Sequence, residues 1–225
     1  MRPEFARAIA PVIIAAIDFL DRLPTLQRSE ATSERGKVER AIQLAESRLQ
    51  GQDSWRRAKY AIAALIDEEC IEASWVGREY WVDHSLEVQY FPENQKIAHD
   101  NFYIQANEAI AQRDHDALEV FFLCVLLGFR GIYGDIDAKD HALRERALEF
   151  VSTHRMPASL EAWIQRTGSS FSTRLKQEIV DASVEAEGAP PLDAKSNLVS
   201  SLLFSIICVG ALAGYLLIQL FVLSQ

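Results

Sequence analysis

The chain has 225 residues, a formal net charge of −9 and 49% hydrophobic residues. That length holds one large domain or two small lobes with ample core. The acidic balance repels nucleic-acid phosphates and anionic headgroups, so a nucleic-acid-binding role is excluded, and basic protein surfaces are the partners it suits. Three cysteines, Cys70, Cys124 and Cys208, stand far apart without CxxC or metal-ligand spacing. They read as small hydrophobes in a reducing compartment.

Glycine and proline are few and fall between periodic segments, which predicts helices almost throughout and an all-α fold. Glu4–Leu23 reads as a first helix ended by Pro24. Its apolar stretch Ile9–Ile17 is interrupted by Pro11 and followed by Asp18, Asp21 and Arg22, too short to span a membrane and unlike a secretory signal. The front of the chain is therefore expected on the cytoplasmic side. Ser29–Ser33 reads as a polar loop with Ser33 as N-cap, and Glu34–Leu49 as the second helix, stopped by Gly51. Trp55–Ala73 reads as the third; its centre, Tyr60–Ile66, is apolar on every face and predicts burial all round. Glu79–Tyr90 predicts a helix carrying Trp81, and Gln95–Gln112 another. Asp116–Phe129 is the second central helix, with Val120–Leu127 fully apolar but too short to span. Asp137–His154 is amphipathic, Pro157 opens a short element through Trp163, and Phe171–Glu185 reads as a last helix before Gly188–Pro191 breaks the chain.

Leu198–Leu223 is a run of 26 residues without a charge. As a helix it reaches roughly 39 Å, enough to cross a hydrocarbon core of about 30 Å with some tilt. The expected organisation is a helical domain over 1–187, a linker over 188–197 and a single transmembrane anchor over 198–223, with the N-terminus cytoplasmic and the C-terminus periplasmic. Within the anchor, Gly210 and Gly214 form a GxxxG step, a candidate face for dimerisation through close backbone approach, so a homodimer is expected.

No Walker loop, HExxH or GxSxG is present. Gly128, Gly131 and Gly134 follow a helix rather than a strand, and the five histidines are scattered, so no cofactor, metal or catalytic residue is expected. Asp67–Glu68–Glu69 is the one carboxylate cluster of note. Neighbours on a helix diverge by about 100°, so at least one of the three must face the core or a cleft. An acid/base pair, a solvated helix end, an acidic lip receiving a basic partner and pairing with an arginine such as Arg56 or Arg130 all remain open.

Two segments carry a family likeness. The first is Tyr60–Glu68, followed by Trp75; the second is Leu118–Tyr133, which reads LEVFFLCVLLGFRGIY. Together they resemble the DotU/IcmH family, also called TssL, of type VI and type IVB secretion, with its "ALxDE" helix and "LExxYLCLxLGFxGxY" helix. Trp81, Ser85–Glu87 and Asn101–Tyr103 resemble the family's intervening stretch, while His99–Asp100 replaces its usual small-residue pair. The resemblance implies a hook-shaped cytoplasmic helical bundle on a single inner-membrane anchor. It also implies a non-enzymatic structural role, an IcmF/TssM-like membrane partner and contact with cytoplasmic baseplate components. Candidate partner-binding residues are Asp67, Glu68, Arg130 and Tyr133, with Arg130 reaching out and Tyr133 packing its ring while exposing its hydroxyl. The rival readings are a tail-anchored Bcl-2-like regulator, on the strength of Ser74–Arg78, and a membrane-tethered enzyme with a carboxylate site.

Overall fold

The computed structural model describes residues 1–94 and 98–171, and every regular element among them is helical. Helix α1 (Pro3–Arg22) has Pro3 in its first turn, where a missing N–H costs nothing. It buries Phe5, Ala8, Ile9, Val12, Ala16 and Phe19, a stripe at three- and four-residue spacing, chiefly against α2 (Arg28–Leu49). Ser29–Ser33 is thus not a loop. The Glu30 carboxylate accepts the Gln27 N–H at 3.0 Å, which caps the helix six residues before the expected start.

Helix α3 (Asp53–Glu72) is the hub, touching α1 and α2 on one side. On its other sides lie α4 (Arg78–Asp83), α5 (Leu86–Tyr90), α6 (Ala98–Ala111) and α7 (His115–Leu126). Its centre, Tyr60–Ile66, is buried on every face, as the sequence predicts. The expected single helix over Glu79–Tyr90 is two pieces, because Ser85 caps α5, its Oγ accepting the Val88 N–H at 3.3 Å. Helix α7 is less enclosed than its composition predicts. Ala117, Val120, Phe121 and Cys124 are fully buried, whereas Leu126 is 57% exposed and Phe122, Leu123 and Leu127 are only partly covered. The helices α3 and α6 are its main neighbours, and the side carrying Leu126 stays open.

After α7 the chain turns through Gly128–Gly131 into α8 (Ile132–Ile136) and α9 (His141–Thr153). Asp140 caps α9 by accepting the Ala142 N–H at 2.9 Å, so the helix expected over Asp137–His154 forms but starts four residues later. The last helix among the described residues, α10 (160–171), runs past the end of the element expected there. It packs Trp163 and Phe171 against Phe122, with ring centroids 6.3 and 5.3 Å apart. Cys70 and Cys124 are buried free thiols. Among the described residues no helix is long and apolar enough to cross a membrane. The predicted helix beyond Phe171, the domain boundary at 187, Cys208, and the anchor with Gly210 and Gly214 all lie outside the described residues.

Candidate functional site: a double staple at the end of the central helix

The last turns of α3 carry the acidic triplet, and its members diverge as helical geometry requires. Asp67 points inward and is 4% exposed. Its Oδ1 accepts the Trp81 indole N–H at 2.7 Å and the Leu86 N–H at 2.8 Å, and its Oδ2 accepts the Glu87 N–H at 2.7 Å. Leu86 and Glu87 open α5, so these are N–H groups with no partner inside the helix. Arg35 clamps the same junction from α2. Its guanidinium lies 4.6 Å from the centre of the Trp81 ring, donates to the His84 carbonyl and reaches Gln89 Oε1 at 2.6 Å.

Glu68 turns the other way. Its two oxygens accept the backbone N–H groups of Arg130 at 2.6 Å and Gly131 at 2.8 Å. The Tyr103 hydroxyl donates to the Arg130 carbonyl at 3.0 Å, so residue 130 is held through both its N–H and its carbonyl. The turn depends on glycine at two points. Gly128 has φ 129° and Gly131 has φ 50°, conformations that L side chains rarely adopt. A Cβ on Gly131 would lie 2.7 Å from the His99 carbonyl oxygen.

Neighbouring acids in the sequence therefore fasten two segments that lie far apart in it. Burial pushes the Asp67 carboxyl up to about 6 and the Glu68 carboxyl up to about 7, against the downward pull of the N–H groups they accept. A carboxyl that binds its proton more tightly folded than unfolded stabilises the fold below its unfolded pKa, and that contribution is lost as pH rises through the folded value. The helical domain is thus expected to lose stability between about pH 4.5 and pH 7. Glu68→Gln should flatten this slope in denaturant titrations of the full chain in mild detergent. Tryptophan emission is the readout, since Trp55, Trp75, Trp81 and Trp163 all lie in the helical domain.

Between the end of α3, the α4–α5 junction, the start of α6 and Phe129 lies a cleft of about 250 Å³. Ala64, Ile71, Val82 and Phe129 supply apolar lining, and Glu68, Glu72 and His99 its charged and polar margin. The His99 ring also meets Asp135, Nε2 to Oδ2 3.0 Å.

The sequence-predicted residues separate into two groups. Asp67 and Glu68 are bonded to backbone rather than forming a solvated helix end. Arg56 pairs with Glu93 at 2.9 Å, not with the acidic triplet. Arg130 approaches the triplet through its N–H, while its guanidinium is exposed and stands 3.9 Å from Asp137. Tyr133 does not expose its hydroxyl. It is buried, packs edge-on against Tyr103 at 4.7 Å and donates to the Pro157 carbonyl at 2.8 Å. Tyr103, Arg35 and Asp135 are partners that sequence reasoning missed. Tyr103 closes the quoted Asn101–Tyr103 stretch, but nothing in the sequence signals a bond to a carbonyl. The Ser74–Arg78 stretch is structural: Trp75 donates its indole N–H to the Cys70 carbonyl at 2.7 Å, and a Cβ on Gly77 would meet the Trp75 ring at 2.3 Å. No group of three or more metal-ligating side chains occurs among the described residues.

Neither a curated protein nor a solved structure matches the chain. The family described as type VI secretion system protein DotU matches it over residues 5–223, nearly its whole length, through the helical domain and the apolar C-terminal segment alike. With both motifs now seen as one stapled unit and the match spanning the chain, the protein belongs to the DotU family and is a type VI secretion system component.

Proposed function

We propose that this chain is a non-enzymatic structural component of the type VI membrane complex. It sits in the bacterial inner membrane by the single anchor at 198–223, with its helical domain on the cytoplasmic side. In this reading the helical domain docks cytoplasmic baseplate components and stands beside an IcmF/TssM-like partner, and the Gly210–Gly214 face joins two anchors in a homodimer. The observation that carries the proposal is the use of the carboxylates. Asp67 and Glu68 are each committed to backbone N–H groups, which suits a rigid platform better than a pair of proton carriers.

The site then has a division of labour. Arg130 and Glu72 meet the partner, while Asp67, Tyr133 and the backbone-bound Glu68 hold that rim in place. The cleft, apolar below with Glu68 and Glu72 at its margin, suits a lysine or arginine side chain, whose stem is apolar and whose head is charged. Glu72→Lys combined with Arg130→Glu inverts the exposed charge of the rim without touching either staple. The double variant is expected to lose at least about tenfold in association with a baseplate component, the scale of a pair of interfacial charges reversed. Co-purification from cells checks it, with tryptophan emission as the test of folding. Unchanged association and secretion would remove the rim as the docking site.

A further inference from the structure

Helix α1 presents a second surface unrelated to the staples. Opposite its buried stripe runs an outward face of Arg7, Ala10, Ile14, Ile17, Asp18 and Asp21, all within about 60° of Ile14 at 3.6 residues per turn. Ile14 is 66% exposed, the highest of the large hydrophobic residues among those described. The order of charge along this face is basic, apolar, acidic. Among the described residues Arg7 and Asp21 have no ion pair; the Arg7 Nε–H makes only a 3.3 Å contact to the Pro3 carbonyl of its own helix.

We propose that this face binds a second copy of the chain, α1 against α1, antiparallel about a two-fold axis at Ile14. Such an axis sets Arg7 opposite the second copy's Asp21, and repeats the same pair on the other side, while Asp18 stays paired with Arg22 of its own helix at 3.1 Å. Ile14 meets Ile14 at the centre, with Ala10 small enough to let the helices close. The face is therefore self-complementary in charge and in shape. The opposite charges at its two ends also distinguish it from a membrane-binding face, which would be uniformly basic at its polar margin. A single helix pair buries less than the roughly 1,000 Å² of a stand-alone interface. The contact is accordingly weak, and a method that traps it is the right readout. The inference does not rest on the docking role or on pairing of the anchors. Association elsewhere would bring two chains together without setting the register of α1.

The test uses the full chain with Cys208→Ser, which leaves only the two buried thiols. Antiparallel helices with axes about 8–10 Å apart bring facing Cα atoms within disulfide reach. Ile14→Cys is therefore expected to give a disulfide-linked dimer under mild oxidant in cells, several-fold above the exposed control Leu44→Cys. Adding Arg7→Asp should reduce the dimer several-fold, and adding Asp21→Arg as well should restore it, since the inverted pair is again opposite in sign. All these positions lie on the outward surface of their helices, and unchanged tryptophan emission verifies the fold. Dimer no greater than in the Leu44→Cys control overturns the proposal, as does a loss that the double inversion fails to restore. Protection of the thiol introduced by Ile14→Cys from a water-soluble thiol reagent, without cross-linking, would assign the face to a membrane or another protein and would equally overturn it.

Discussion

Asp67→Ala is expected to destabilise the helical domain by about 3–5 kcal/mol. Three donors lose their acceptor at once: the Trp81 indole and the N–H groups of Leu86 and Glu87. A buried donor left without a partner costs about 1–3 kcal/mol, and relief from burying the carboxylate offsets part of the total. Against a typical stability of about 5–15 kcal/mol the loss is severe. Asp67→Asn keeps one acceptor oxygen but turns an amide N–H₂ toward another donor, so it should recover only about half. Denaturant midpoints followed by tryptophan emission measure both, and Trp81 emission should respond first because its own hydrogen bond is cut. Losses under about 1 kcal/mol for Asp67→Ala would mean that solvent satisfies the α5 N–H groups and that the staple is dispensable.

The second large effect is expected at Gly131. An alanine there must adopt φ near 50° with ψ near −135°, and its Cβ must sit 2.7 Å from the His99 carbonyl oxygen. Strain of this kind costs about 1–3 kcal/mol, and the backbone clash adds to it, so Gly131→Ala should cost about 3–4 kcal/mol. Gly134, three residues on, is the internal control. It lies inside α8 with the nearest atom to a Cβ at 3.5 Å, so Gly134→Ala should be neutral or stabilising by up to about 1 kcal/mol. Equal effects at the two positions would contradict the turn geometry.

These two glycines show how far the sequence could be read. The run Gly128, Gly131, Gly134 looks like one motif on paper, yet only the first two have positive φ. The helices themselves were legible, because apolar residues at three- and four-residue spacing leave few alternatives, and the enclosed centre of α3 followed from the absence of any charged residue in Tyr60–Ile66. The start of α2 was misplaced because a capping glutamate after Gln27 resembles ordinary polar sequence. The open side of α7 was missed because composition registers a leucine but not which neighbour covers it. The staples were hidden for a deeper reason. A carboxylate that accepts a main-chain N–H has no complementary side chain to announce it, and Glu68 finds its donors 62 and 63 residues away. The acidic triplet could therefore be singled out, but not its use.

Glu68 grips Arg130 by its backbone, and this separates two properties that usually change together. The position of residue 130 is set by its N–H and carbonyl, while its side chain is exposed and meets the likewise exposed Asp137 carboxylate at 3.9 Å. A saturation library at this position should yield folded protein for every substitution but proline, which lacks the required N–H. Binding should vary across the same library while yield does not. The chain thus carries a socket in which the side chain at position 130 is exchangeable, and under the proposed docking role a lineage facing an altered partner can change its contact chemistry there without risk to the domain that displays it.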